Sequence, residues 1–177
     1  VAGIVLLALV LDQVSKVYIK THFELGEARE VFSWFWIVFV ENNGMAFGIE
    51  WFSKLLLTLF RIVAVGVIGW YIHIMIHKQQ VRIGYLTTIA MVIAGALGNI
   101  IDCVFYGKIW GYASWFHGRV VDMLYFPLIR NAAGECLFFR PVFNIADSFI
   151  TVAVFLIVIF YRKDLDESLN QIFPKKQ

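Results

Sequence analysis

Four aspartates sit where a carboxylate is hardest to keep. Asp12, Asp102, Asp122 and Asp147 lie in or beside long apolar runs, whereas every glutamate lies in a polar connection or in the tail. An ionisable group at mid-bilayer costs roughly 3 kcal/mol on insertion scales, so each of these needs a partner or a task. Two of them could work together. Asp122 lies in GRVVDMLYF and Asp147 in FNIADSFI, and a connection that returns to the start of the last apolar run can bring them side by side. Two carboxylates in one low-dielectric site cannot both ionise freely, so one pKa rises and the pair shares a proton. One can then take a proton from water while the other donates to a carbonyl, which is the chemistry of an aspartic peptidase.

Other polar residues are spaced as if to support such a pair. Asp12, Ser15 and Lys16 share one helix face, and Asp four residues before Lys is a favourable order for an ion pair. That pair either neutralises itself so that the helix can insert or braces a neighbouring polar site. In AGALGNIIDC, small residues let another helix approach closely, and Asn99 and Asp102 face that contact together. A buried Asp102 there requires a donor. Asn144 and Asp147 repeat the spacing in the last apolar run, just after Pro141, which fits before a helix start. Asp147 then lies near the positive end of the helix dipole. As a lone anion it would need no further explanation; Asp122 nearby changes that.

Competing chemistries find less support. His73 and His77 are four apart but lack the intervening Glu of a zinc peptidase helix, so they read as interfacial anchors, and no metal site is expected. No serine stands in a nucleophile turn with an oriented His. Cys103 and Cys136 are too few for a disulfide framework, and Cys103 reads as a small hydrophobe. Arg61, inside an apolar run, either snorkels outward or pairs with an aspartate. No cofactor is required.

The elements that must position these residues are membrane helices. The chain has 177 residues, 60% hydrophobic and 17% aromatic, with a mean hydropathy of +0.76, far from soluble domains. The net charge of +2 comes without a basic stripe and gives no sign of a nucleic-acid partner. Four runs approach the roughly 20 apolar residues a span needs, at about 1–19, 55–76, 84–106 and 143–161. The first, VAGIVLLALVL onward, lacks the basic leader of a signal peptide and reads as a mature span. Lys78 and Arg82 crowd one short turn, and Arg162 and Lys163 follow the last run, so both termini are expected in the cytoplasm. The connections 20–54 and 107–142 then face outward. Aromatic and β-branched residues in VFSWFWIVFVENNGMAFGIEW and WFHGRVVDMLYFPLI predict a small sheet on the outer membrane surface, with ENNG as a turn. NAAGEC reads as a polar loop tip and DLDESLNQIFPKKQ as a solvated end. The expected fold is a mainly α membrane protein, one unit over 1–177, with four transmembrane helices and a β-sheet and loop layer on the outer face.

Five motifs in order resemble one family, bacterial lipoprotein signal peptidase, also called signal peptidase II. DQVSK at Asp12–Lys16 is similar to its first-span motif. Asn42, Gly44, Ala46 and Phe47 in ENNGMAFG match its N-x-G-x-A-F loop. GALGNIID at Gly95–Asp102 matches its third-span motif, and GRVVDMLYF and FNIADSFI look like the segments bearing its catalytic aspartates. The resemblance implies an aspartic endopeptidase of the bacterial cytoplasmic (inner) membrane. It would remove the signal peptide of diacylglyceryl-modified prolipoproteins just before the lipidated Cys. Asp122 and Asp147 would be catalytic. Asn42, Gly44, Asn99, Asp102 and Asn144 would surround substrate and dyad, and Asp12 and Lys16 would brace the first helix. Membrane lipids are expected partners, and globomycin is expected in the substrate groove. The chain departs from the family where Cys103 follows GNIID, a place that often holds Arg; Arg61 or Arg119 is expected to replace that guanidinium beside Asp102 or substrate. The loop 126–142 is also longer than expected. A transporter using the aspartates as a relay, or a noncatalytic assembly protein, are the competing readings.

Overall fold

A backbone in hydrocarbon must satisfy its hydrogen bonds within the segment, and the apolar runs fold accordingly. The computed structural model describes residues 1–43, 52–77, 81–131, 136–138 and 141–173. Helices α1 (Ala2–His22), α2 (Phe52–His77) and α3 (Ile83–Ile101) come first. A π-helical stretch, Asp102–Tyr106, extends α3 into one last turn, α4 (Gly107–Ile109). Helix α5 (Ile145–Phe160) is followed by α6 (Arg162–Ile172). Among the described residues three helices are long and apolar enough to cross a membrane alone, and α5 qualifies only together with α6, from which it is bent by 87°. This is a multi-pass membrane protein.

The observed bounds correct several expectations. The first helix runs to His22, the second from Phe52 to His77, and the third segment reaches Ile109, so the second long connection begins later than residue 107. The last membrane helix begins at Ile145 because Val142 and Phe143 pair in a sheet and Asn144 caps the helix from outside. The tail is not simply solvated. Leu165, Ser168, Leu169 and Ile172 share one face at helical spacing, and Ser168 is buried. A charged average composition concealed that stripe.

Strands β1 (Ala28–Phe32), β2 (Phe35–Asn42), β3 (Val120–Tyr125) and β6 (Val142–Phe143) form an antiparallel sheet in the order β1-β2-β3-β6. Ser33 and Trp34 connect the first two strands, since Phe32 pairs with Phe35. A separate ladder joins β4 (Ile129–Arg130) and β5 (Cys136–Phe138). Cys136 of the expected loop tip is therefore in a strand, while 132–135 lie outside the described residues. In the expected ENNG turn, Glu41 and Asn42 still belong to β2; Gly44, Ala46 and Phe47 lie outside the described residues.

Helix α3 is the hub: α1, α2 and α5 all pack on it. Small residues allow this. A Cβ on Gly95 would stand 2.3 Å from the Ala146 carbonyl oxygen, and one on Gly98 would stand 2.5 Å from Asp12 Oδ2. The sheet is fastened to one end of the bundle by a cluster of Ile19, Phe39, Tyr106, Val121 and Met123. The π-helical stretch lies beneath it. Its wider turn releases the carbonyls of Cys103 and Val104, which accept from Gly118 N–H at 2.9 Å and Phe116 N–H at 3.1 Å. Gly118 is required there, because a Cβ would meet the Asp102 carbonyl oxygen at 1.9 Å.

These contacts imply a cost for one methyl group. Gly95→Ala pushes α3 from α5 and is expected to lose about 1–3 kcal/mol of stability, read as a lower melting temperature in detergent. An unchanged melting temperature would show that the helices do not meet there.

Candidate active site

Among the described residues Lys16 is the only buried cation, and it is completely buried. Its Nζ lies 2.8 Å from Asp12 Oδ2 and 2.7 Å from Asp102 Oδ2, and it donates to Asn99 Oδ1 at 3.0 Å. Both carboxylates are held from their other sides. Asp12 Oδ1 accepts from Ala146 N–H at 2.9 Å, and Asp102 accepts from Gln13 Nε2 at 3.0 Å and Val121 N–H at 3.4 Å. Asp102 thus has the donors its burial requires, and its cation comes from α1. The expectation that Arg61 or Arg119 would serve it is corrected: Arg61 donates to Cys103 Sγ at 3.5 Å, and Arg119 pairs with Glu41 at 2.9 Å.

The contact between Lys16 and Asn99 settles which way that amide points. An ammonium can only donate, so the oxygen of Asn99 must face it and the nitrogen must face away. The nitrogen donates to Asp147 Oδ1 at 2.7 Å. Asn144 is fixed by the same logic. As N-cap of α5 its Oδ1 accepts from Asp147 N–H at 2.9 Å, and Asp147 Oδ2 accepts in return from Asn144 N–H at 3.4 Å, a capping box. Asn144 Nδ2 is thereby aimed at Asp122 Oδ1, 2.7 Å away, and lies 3.1 Å from Asn99 Oδ1. Asn42 Nδ2 reaches the other Asp122 oxygen at 3.0 Å. It can do so because Val40 pairs opposite Asp122, which puts Asn42 on the same face at the diagonal position.

Asp122 and Asp147 are consequently held by two asparagines in contact with one another. Asp122 is 2% exposed. Burial pushes its carboxyl up to about 6; the Asn42 amide pulls it down, the charge of Asp147 raises it, and the Asn144 amide and Lys16 pull it down. A carboxyl that binds a proton near neutrality next to a second carboxylate is the arrangement acid–base hydrolysis needs.

Residues 4–162 match the family model described as signal peptidase (SPase) II. The chain belongs to the signal peptidase II family. It is 44% identical to the lipoprotein signal peptidase of Porphyromonas gingivalis, over 96% of this chain and 86% of that one. Identity is 35% with the lipoprotein signal peptidase of Amoebophilus asiaticus, over 96% and 80% of the two chains, and 34% with that of Streptococcus pneumoniae, over 93% of each. A solved bacterial membrane enzyme structure superposes with a TM-score of 0.69 at 28% identity, covering 99% of this chain and 92% of that one.

In this signal peptidase II family member the structure brings Asp12, Lys16, Asn42, Asn99, Asp102, Asp122, Asn144 and Asp147 into one connected set. Gly44 lies outside the described residues. Ser15 and Ser148 donate to the backbone carbonyls of Asp12 and Asn144, one turn before each. Two contributions went unread in the sequence. Gln13 Nε2 touches both Asp12 and Asp102, and its Oε1 accepts from Tyr106; a second polar residue directly after Asp12 was the available signal. Glu41 bonds both Lys20 and Arg119 next to Asn42. Burial pushes its carboxyl up, but hydrogen bonds and charge from those two cations outweigh burial and hold it below the usual range.

Removing the central ammonium should be severe. Lys16→Met strands two buried carboxylates and is expected to cost about 3–5 kcal/mol, measured by thermal unfolding, whereas Arg29→Gln, at the exposed pair with Glu27, should leave the melting temperature unchanged. Equal effects would mean that Lys16 is not the structural centre of the site.

Proposed function

We propose that this chain is an aspartic endopeptidase that removes signal peptides from diacylglyceryl-modified prolipoproteins, cutting just before the lipidated Cys, with Asp122 and Asp147 as the catalytic pair. The observation that carries the reading is Asn144. Its backbone and side chain fix Asp147 while its amide nitrogen fixes Asp122, so one residue sets the position of both carboxylates. In the reaction, the ionised member takes a proton from a water, whose oxygen attacks the scissile carbonyl carbon. The protonated member gives its proton to the carbonyl oxygen. The resulting diol collapses with proton transfer to the departing amine, and the C–N bond breaks. Asp122, with its raised pKa, is the acid. Asn42, Asn99, Asp102, Asp12 and Lys16 act by holding the pair.

The grouping of all four aspartates at the sheet end argues against a relay distributed through the bilayer, as a transporter would need. We place the protein in the bacterial inner membrane as one unit with both termini in the cytoplasm. The support is the density of Arg82, Arg162 and Lys163 at the end away from the sheet. The sheet and the dyad then lie near the outer face, where water and a lipid-modified substrate can both reach them. Membrane lipids and globomycin-type inhibitors are partners on this reading.

Two measurements check it. Asp122→Asn and Asp147→Asn, each shown folded by its melting temperature, are expected to lose at least about 10³-fold in cleavage of a diacylglyceryl-modified precursor; near-normal cutting by either would make that aspartate structural. The pH profile is the second. If Asp122 must carry the proton, kcat/KM declines as pH rises through about 6. The Asn42 amide favours the ionised form, so Asn42→Ala should move that decline to higher pH. A profile that does not move would remove Asp122 from the role of acid.

A further inference from the structure

Helices α2 and α5 each pack on α3 but make no substantial contact with one another. Between them lies an apolar cavity of about 420 Å³. Tyr85, Ile89 and Val92 of α3 line it at successive steps of four and three residues. The same steps continue to Ala96, which is half-buried, and then to Asn99. On α5 the lining residues Ile157 and Val154 continue back through Ile150 to Asp147. Asn99 and Asp147 are hydrogen-bonded to each other. Two stripes on two helices therefore converge from the cavity onto the proposed dyad.

Helix α6 lies across the other end. Leu165, Leu169 and Phe173 line the cavity there, because the chain turns by 87° after α5. That turn is fastened in several ways. Ser168 bonds Tyr71 and lies 3.3 Å from the Tyr85 hydroxyl, itself 2.7 Å from that of Tyr71. Arg82 pairs with Asp164 at 3.3 Å and sits over the Tyr161 ring. The cavity itself is lined from α6 as far as Val92 and Val154, and the two stripes carry its line on by about two helical turns to Asn99 and Asp147.

Its length has meaning for a signal peptide. The fourteen helical steps from Tyr85 to Asn99 rise about 21 Å. The apolar core of a signal peptide runs to about 7–15 residues, and a helix of about fourteen fills that span. Such a segment also enters with its N-terminal end in the cytoplasm, towards α6, and its cleavage site towards the sheet. Resting on the peptidase reading above, we infer that α6 is a length gauge for the substrate: it stops the inner end of the signal peptide's apolar segment when the scissile bond reaches Asp122 and Asp147. A bilayer acyl chain could enter the same cavity, but it would not require α6 at this distance from the dyad.

The test uses the full chain in detergent and lipid-modified precursors whose apolar segments are roughly 11, 14 and 18 residues long. The unmodified protein should cut the two shorter ones comparably and the longest at least about tenfold worse in kcat/KM. Leu165→Ala combined with Leu169→Ala opens the stop and should recover most of that loss. Leu165→Trp, which enlarges a side chain lining that end, should extend the discrimination to the middle length. A photocrosslinker at position 169 should capture the N-terminal end of the substrate. Length preference absent from the unmodified protein, or unaltered in folded variants that still cut the shortest precursor, overturns the gauge and leaves the peptidase reading intact. Capture of bilayer lipid alone also overturns it. Failure to cut any length overturns the peptidase reading, and the gauge with it.

Discussion

A buried ammonium has no water to solvate it, and everything at the sheet end of this protein is arranged around that fact. Lys16 is satisfied by two carboxylates and one amide oxygen, supplied by α1 and by α3 with its π-helical extension. Each carboxylate then takes backbone donors from a further element, Asp12 from α5 and Asp102 from β3. One positive charge thus ties together helices and strand that are distant in sequence. An isolated buried ion pair is weak evidence of stability. Here the remaining lone pairs are also used, which is the condition under which burial is tolerable.

The direction of the hydrogen bonds follows from the same charge. Lys16 can only donate, so Asn99 must present its oxygen to it and its nitrogen to Asp147. A backbone N–H can only donate, so Asn144 must present its oxygen to Asp147 N–H and its nitrogen to Asp122. Neither amide is free to flip without placing donor against donor. The two proposed catalytic carboxylates therefore inherit their geometry from a residue that would never contact the substrate, and preorganisation of this kind is what electrostatic catalysis depends on.

Much of the site was legible in the sequence because membrane burial makes polar residues conspicuous. Asp12, Asp102, Asp122 and Asp147 stood out against apolar neighbours, and hydropathy located the helices that carry three of them. The pairing of Lys16 with Asp12 was also readable, being four residues apart. Its second partner, Asp102, was not, because nothing local says which cation will cross between helices; Arg61 and Arg119 were equally good candidates on composition. The Glu41, Lys20 and Arg119 cluster stayed hidden for a similar reason, since it depends on the register of β2 against β3. Helix α6 was missed because net charge was weighed before periodicity. The start of α5 was placed two residues early, since strand pairing at Val142 and Phe143 is a tertiary event that hydropathy does not record.

The central claim is that Asp122 and Asp147 act on one reacting centre. The most direct test is a crystal structure of this protein with a lipid-modified peptide whose scissile amide is replaced by a hydroxyl-bearing carbon, the stand-in for the attacking water and carbonyl oxygen. The account expects that hydroxyl within hydrogen-bond distance of both carboxylates, with the apolar segment lying between α2 and α5. A hydroxyl that reaches only one of the two aspartates, or binds elsewhere, would contradict it.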